Sequence, residues 1–74
     1  MKLRQIVARN LRVLRKQKGL SQEELAFQAG INRNYVGQIE REEKLPTIDT
    51  IEKLANTLDI NPVNLLGRQH RRHP

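Results

Sequence analysis

The sequence predicts an all-α fold, a compact single domain of five short helices. Apolar residues recur three and four positions apart in successive segments of the 74-residue chain, which is the spacing of a helix face. Residues typical of helix ends flank these segments, and no segment carries a credible strand pattern. A chain of this length forms one domain with a modest core.

The first two helices are predicted on either side of Gly19. The first covers about 3–18, with an apolar stripe formed by Leu3, Val7, Leu11 and Leu14. The second opens with "SQEE", in which Ser21 is the expected N-cap and Glu24 completes a capping box. Its inward residues are expected to be Leu25, Ala26 and Ala29.

The other three helices are predicted from their caps. Asn32 would cap the third, Thr47 the fourth and Asn61 the fifth, whose first helical position is Pro62. The apolar residues of the third and fourth helices are Val36, Ile39, Ile48, Ile51, Leu54, Ala55 and Leu58. We expect the domain to span 1–67 and to be followed by a basic, flexible tail at 68–74.

The connection between the second and third helices is only "GIN". A link this short forces the two helices into a fixed crossing, which predicts a helix-turn-helix. Small residues at Ala26 and Ala29 would let the helices approach closely, and Ile31 would fill the corner between them.

The charge distribution favours an anionic partner. The net charge is +6, and positions 1–20 hold seven basic residues and no acidic one. Nucleic acid is the first candidate and an acidic membrane surface the second, while ordinary solvated faces are the plain alternative. No apolar run is long enough to span a membrane, and no signal-peptide pattern is present, so a cytoplasmic location is expected.

The residue types present give little support for catalysis or for a metal site. The absence of cysteine excludes disulfides and thiolate chemistry. Two histidines, His70 and His73, both fall in the tail, and no acid–base or nucleophile arrangement occurs. We therefore expect neither an enzyme nor a cofactor, a metal or a small-molecule ligand.

The third helix carries a polar stripe opposite Val36 and Ile39. It consists of Arg33, Asn34, Gly37, Gln38 and Arg41. Arginine suits guanine edges, and asparagine or glutamine suits adenine edges, in the major groove of DNA. Arg33, Asn34 and Gln38 are therefore candidate base-reading residues, although a solvated face would also favour these types.

Three positions near this stripe have two interpretations each. Gly37 costs about 1 kcal/mol inside a helix relative to alanine. Either the glycine allows the helix to approach DNA closely, or it is a neutral change at a solvent position. Gln22 lies where free N–H groups at a helix start suit a phosphate, or it is simply a helix former. The Tyr35 hydroxyl would reach a phosphate, or its ring is half-buried.

Arg15 and Glu40 are predicted to form an ion pair across the core. Arg15 lies one turn from Leu11 on the inner side of the first helix, and Glu40 lies one turn from Val36 on the inner side of the third. Unpaired charges at such positions would be costly. We expect the pair to fix the angle between the two helices.

The run from Leu11 to Leu66 resembles the phage-repressor-like helix-turn-helix family, the Cro/C1 or XRE type, through "GLSQEELA", "AGI", "YVGQIE" and "PTIDTIEKLA". Within that family it is most similar to restriction–modification controller proteins. The resemblance implies a repressor-like DNA-binding domain that binds palindromic double-stranded operators as a homodimer. It places Arg33, Asn34 and Gln38 at bases and supports the Arg15–Glu40 pair. The expected DNA-backbone contacts are Gln22, Asn32, Tyr35, Arg41 and Lys44.

The same resemblance implies dimer contacts in the last helices. The candidates are Ile60, Val63, Leu65 and Leu66, of which we assign at least two to the core of the monomer. The sequence departs from the family at Glu42, where a left-handed glycine is common, and a non-glycine there costs roughly 1–2 kcal/mol. A second departure is Leu45, where a polar residue is common.

These observations favour a sequence-specific DNA-binding transcriptional regulator. An antitoxin-like or other protein-interaction module would use the same fold and is the alternative. RNA or membrane binding through the first helix would leave the polar stripe of the third helix unexplained, and the chain lacks the stacking aromatics of single-strand binders.

Overall fold

The computed structural model describes residues 2–67, and every regular element in that range is a helix. The helices are α1 (Leu3–Gln17), α2 (Gln22–Ala29), α3 (Arg33–Glu40), α4 (Ile48–Leu58) and α5 (Val63–Leu66). The all-α prediction and its five helices are therefore confirmed for this part of the chain. The tail prediction, with His70 and His73, falls outside the described residues, so the proposed boundary at 67 stays a prediction.

Side chains cap the starts of three helices at the predicted positions. Ser21 Oγ accepts from the backbone N–H of Glu24 at 2.9 Å, and Glu24 Oε1 accepts from the N–H of Ser21 at 2.8 Å. The hydrogen bonds from Ser21, that of its backbone foremost, hold the pKa of Glu24 below its ordinary value. The other side-chain caps are Asn32 and Thr47. At α5 the prediction is one residue early, since Pro62 is the N-cap and not the first helical residue, although Asn61 Oδ1 still accepts from the N–H of Val63 at 3.0 Å.

The core lies where α3 packs between α1 and α2, with α4 against α2 and α5 against α1. Its fully buried large side chains are Val7, Leu11, Leu25, Val36, Ile39, Leu54 and Leu65. Two residues of the predicted stripes are instead exposed, Leu3 by 43% and Ile48 by 79%. Each is the first residue of its helix and therefore projects beyond the neighbouring elements.

A buried asparagine, which the sequence did not single out, fastens α5 to α1. Asn10 is 3% exposed, and its Nδ2 donates to the carbonyl oxygens of Leu65 at 3.1 Å and Gly67 at 2.7 Å. A helix of four residues has little stability of its own. Asn10 and the burial of Leu65 therefore hold α5 in place.

The first four helices end in the same kind of turn, with one residue in the left-handed region. Glycine occupies it after α1 and α2, whereas Glu42 (φ 66°) and Asp59 (φ 58°) occupy it after α3 and α4. After α3, the N–H of Glu42 donates to Ile39 O and the N–H of Glu43 to Gln38 O, as in a Schellman motif. Glu42 therefore adopts the left-handed conformation itself, and α3 ends in the turn that a glycine at this position would form.

Replacing Glu42 by glycine is expected to raise the free energy of unfolding by about 1–2 kcal/mol, because glycine adopts positive φ without a steric penalty. Urea denaturation followed by circular dichroism would measure it. Asp59→Gly should give a smaller gain, since aspartate tolerates this region better than glutamate. Glu42→Gln controls for the lost charge, and an equal gain from it would refute the backbone explanation.

Candidate nucleic-acid interface

A buried ion pair fixes α3 relative to α1. Arg15 Nε donates to Glu40 Oε2 at 2.6 Å and Arg15 Nη2 to Glu40 Oε1 at 3.0 Å, so the contact is bidentate. Arg15 is 8% exposed and Glu40 is 6% exposed. The pair has the partners that the helical phase indicates, and its fork geometry permits only a narrow range of angles between the helices.

Further hydrogen bonds complete this pair. Arg15 Nη1 donates to the carbonyl of Leu20 at 2.8 Å, and Gln22 Nε2 donates to Glu40 Oε1 at 3.0 Å. Arg12 Nη1 donates to the backbone carbonyl of Glu40 at 3.2 Å, where a cation is favourable at the C-terminal end of α3. Within residues 2–67, no buried side-chain nitrogen or oxygen lacks a hydrogen-bond partner.

The outward face of α3 borders an open concave surface. Five of the residues predicted to contact DNA line it: Asn32, Asn34, Tyr35, Gln38 and Lys44. Asn34 and Lys44 are exposed, and Gln38 is half-exposed, so their polar groups are accessible to a ligand. The ring of Tyr35 is half-buried against the core. This surface presents amide, hydroxyl and ammonium groups together, as base edges and phosphates require.

The two arginines predicted on α3 and at its end are both paired with glutamates. Arg33 Nη1 lies 2.7 Å from Glu23 Oε2, and Arg41 Nε lies 2.9 Å from Glu43 Oε2. All four side chains are more than half exposed, so water screens the pairs and they contribute little to stability. Hydrogen bonding between Arg41 and Glu43 raises the pKa of the arginine and lowers that of the glutamate.

Gln22 has an intramolecular partner that the sequence did not reveal. Its side-chain amide donates to Glu40, so it joins the start of α2 to the end of α3. The phosphate interpretation rested on the backbone N–H groups at this helix start and stays a prediction, but the side chain of Gln22 is held by Glu40 in this structure. The propensity interpretation also missed this contact, because it depends on how α2 and α3 pack.

Gly37 is buried, which contradicts its placement on an open face. A Cβ atom added there would lie 2.9 Å from Arg41 Nη1 and 3.3 Å from Gln22 Oε1. The side chains of Arg41 and Gln22 therefore cover this part of α3. The glycine therefore makes room for two side chains and does not lie at a solvent position, whereas close approach to DNA at Gly37 stays a prediction.

The predicted dimer contacts divide between the core and the surface. Leu65 is 1% exposed and Ile60 packs against the core, so Leu65 is not available to a second copy. Val63 is 65% exposed and Leu66 is 38% exposed. These two remain as candidates, in agreement with the expectation that at least two of the four belong to the monomer.

Two kinds of feature are absent from residues 2–67. No cluster of histidine, cysteine, aspartate or glutamate side chains in that part of the chain has the arrangement of a metal site. None of its helices combines the length and the apolar character that crossing a membrane requires.

Comparison with known proteins matches both the fold and the order of the motifs. The helix-turn-helix family model matches residues 11–65. The control protein C.SmaI of Serratia marcescens is 41% identical over 69 residues, covering 93% of this chain and 82% of that protein.

Two solved structures are similar to this chain over most of its length. The restriction-modification controller protein C.AhdI from Aeromonas hydrophila has a TM-score of 0.81 and 47% identity, covering 84% of this chain and 94% of that one. The N-terminal DNA-binding domain of SinR from Bacillus subtilis has a TM-score of 0.84 and 34% identity, covering 90% of this chain and 99% of that one.

Glu40→Gln is expected to lower the free energy of unfolding by about 3–5 kcal/mol, because it leaves the Arg15 charge buried without a counter-ion. Thermal and urea denaturation followed by circular dichroism would measure the loss. The matched control is Glu43→Gln, which breaks an exposed pair and should change stability far less. Similar effects from the two variants would show that the buried pair does not stabilise the domain.

Gly37→Ala is expected to gain less than the ~1 kcal/mol of helix propensity, because Arg41 and Gln22 must both move. In a Gln22→Ala background the new methyl group meets one neighbour fewer, and the same substitution should gain more. A double-mutant cycle in urea would measure the difference. Equal gains in the two backgrounds would refute the packing explanation for this glycine.

Proposed function

The chain belongs to the helix-turn-helix family, and on that premise we propose that it is a sequence-specific transcriptional regulator that binds double-stranded DNA. In this proposal it binds as a homodimer, with α3 in the major groove, and controls a restriction–modification system. It acts in the cytoplasm, without catalytic activity of its own. Controller proteins among its relatives support the finer assignment.

The observation that carries the proposal is the concave polar surface along α3. Asn34 and Gln38 are one helical turn apart on this surface, with Lys44 and Tyr35 at its margin. Amides so spaced can address successive bases, while an ammonium and a hydroxyl at the margin can bind phosphates. The net charge of +6 adds the attraction toward an anionic polymer that non-specific DNA binding needs.

Rigid positioning of α3 supports the same function. The bidentate Arg15–Glu40 contact and the Gln22 hydrogen bond hold the helix to both of its neighbours before any ligand arrives. Base readout depends on side chains at fixed positions, and a preorganised helix avoids an ordering cost on binding.

A homodimer would place two copies of α3 in successive major grooves, about 34 Å apart. Val63 and Leu66 provide exposed apolar area at the end of the domain where such a contact would form. A two-fold dimer recognises a palindromic operator, since each half-site faces the same residues.

Selection from a random duplex library, followed by fluorescence anisotropy at several salt concentrations, tests the proposal. We expect an inverted-repeat site with much higher affinity than random duplex. Equal affinity for all sequences would overturn it, and co-purification of a protein partner would then favour the interaction-module alternative. Genes for a methyltransferase and an endonuclease beside the coding sequence would support the controller role.

Gln38→Ala and Asn34→Ala are each expected to lose about 1–3 kcal/mol of discrimination at one base pair per half-site. Titration of the selected operator and its single-base variants would locate that base pair. Lys44→Ala should instead weaken binding to all sequences alike and lower the salt slope by about one. Lys53→Ala removes the same charge from an exposed site on α4 and serves as the control. If Lys53→Ala reduced base discrimination as much as Gln38→Ala, the assignment of Gln38 as a base-reading residue would be refuted.

A further inference from the structure

Arg41 lies across the outer side of α3 with one edge of its guanidinium occupied. Its Nε donates to Glu43 Oε2 at 2.9 Å and its Nη2 to Glu43 Oε1 at 3.4 Å. Its Nη1 lies over Gly37, at 2.9 Å from the position that a Cβ would take. The absence of a side chain at Gly37 is what allows the arginine to lie there.

The other edge of this guanidinium has no hydrogen-bond partner within residues 2–67. The side-chain hydrogen bonds of Arg41 all go to Glu43 and use Nε and Nη2, so none involves Nη1. A guanidinium carries five N–H donors in a rigid plane, so a carboxylate on the Nε–Nη2 edge leaves the Nη1 donors free. Arg41 can therefore bind a phosphate oxygen through Nη1 without releasing Glu43.

We propose that Glu43 is a positioning residue that sets the specificity of DNA binding, by holding Arg41 across Gly37 with its free edge directed to a duplex phosphate. This inference rests on the proposed function and extends it to a residue outside the expected DNA contacts. The ligand of the free edge is a backbone phosphate of the specific duplex, in the orientation that the docked α3 imposes.

Two physical effects allow such a glutamate to favour specific over non-specific DNA complexes. In the specific complex Arg41 is already oriented, so less side-chain entropy is lost when the phosphate binds. In loosely docked, non-specific complexes the attraction depends on overall charge, and the carboxylate of Glu43 opposes it. Glu43 thus favours the one docking geometry in which Arg41 meets its phosphate.

The neighbouring glutamate provides a matched control. Glu42 is exposed, carries the same charge and lies in the same turn, but no ion pair within residues 2–67 involves it. Glu42→Gln and Glu43→Gln therefore remove equal charge from nearly the same place, and only the second removes the partner of Arg41.

The experiment measures the affinity of both variants for the selected operator and for random duplex by fluorescence anisotropy. Glu42→Gln should raise both affinities by the same factor. Glu43→Gln should raise the affinity for random duplex equally but lower that for the operator by about twofold to tenfold. If Glu43→Gln changes both affinities as Glu42→Gln does, the proposal is overturned.

A second arm tests whether Glu43 acts through Arg41. Arg41→Lys keeps the charge but removes the planar fork, so it should weaken operator binding as Glu43→Gln does. Adding Glu43→Gln to Arg41→Lys should cause no further loss of operator preference. A full additional loss would show that Glu43 acts independently of Arg41 and would refute the positioning role.

The two proposals fail in different ways. A wild-type protein that prefers no sequence would overturn the proposed function, and this inference with it. A wild-type protein that prefers its operator, with Glu43→Gln matching Glu42→Gln, would overturn this inference only. Circular dichroism melting of each variant verifies that the exposed substitutions leave the fold intact.

Discussion

The carboxylate of Glu40 is the group on which the arrangement of the first three helices depends. It is buried at the end of α3, and it accepts hydrogen bonds from Arg15 of α1 and from Gln22 of α2. A buried charge is tolerated only when its partners are correctly placed. One carboxylate therefore requires α1, α2 and α3 to meet in one arrangement, and that arrangement directs the polar side of α3 outward.

The same requirement extends to the surface. Gln22 reaches Glu40 by passing beside Gly37, and the guanidinium of Arg41 shares the space that the glycine leaves. Gln22, which is bonded to the buried pair, and Arg41 therefore both lie next to this glycine. An interior ionic contact and an exposed arginine, which look independent in the sequence, each depend on the space that Gly37 leaves.

The sequence predicted those features that depend on local spacing. Ser21, Asn32 and Thr47 cap helices because a cap needs only nearby residues, and helical phase was enough to face Arg15 toward Glu40. The partner of Gln22 was missed because it depends on how α2 and α3 cross. The cover over Gly37 is partly local, since Arg41 lies one turn away at the end of the same helix, and what was missed is that its side chain folds back over the glycine. Helical phase and residue type indicated Asn34, Tyr35 and Gln38 as DNA contacts. Family resemblance added Asn32 and Lys44, and the structure gathers these five residues on one surface.

The two hydrogen bonds that Asn10 donates to the end of α5 have a consequence for the synthesis of the chain. They join residues 55 and 57 positions apart, and they act together with a fully buried Leu65. Because α1 precedes α5 in the sequence, its buried amide has no acceptors until the turn at Gly67 has been synthesised. Contacts between residues so distant in sequence form late in folding, so the core stays incomplete until that turn is available.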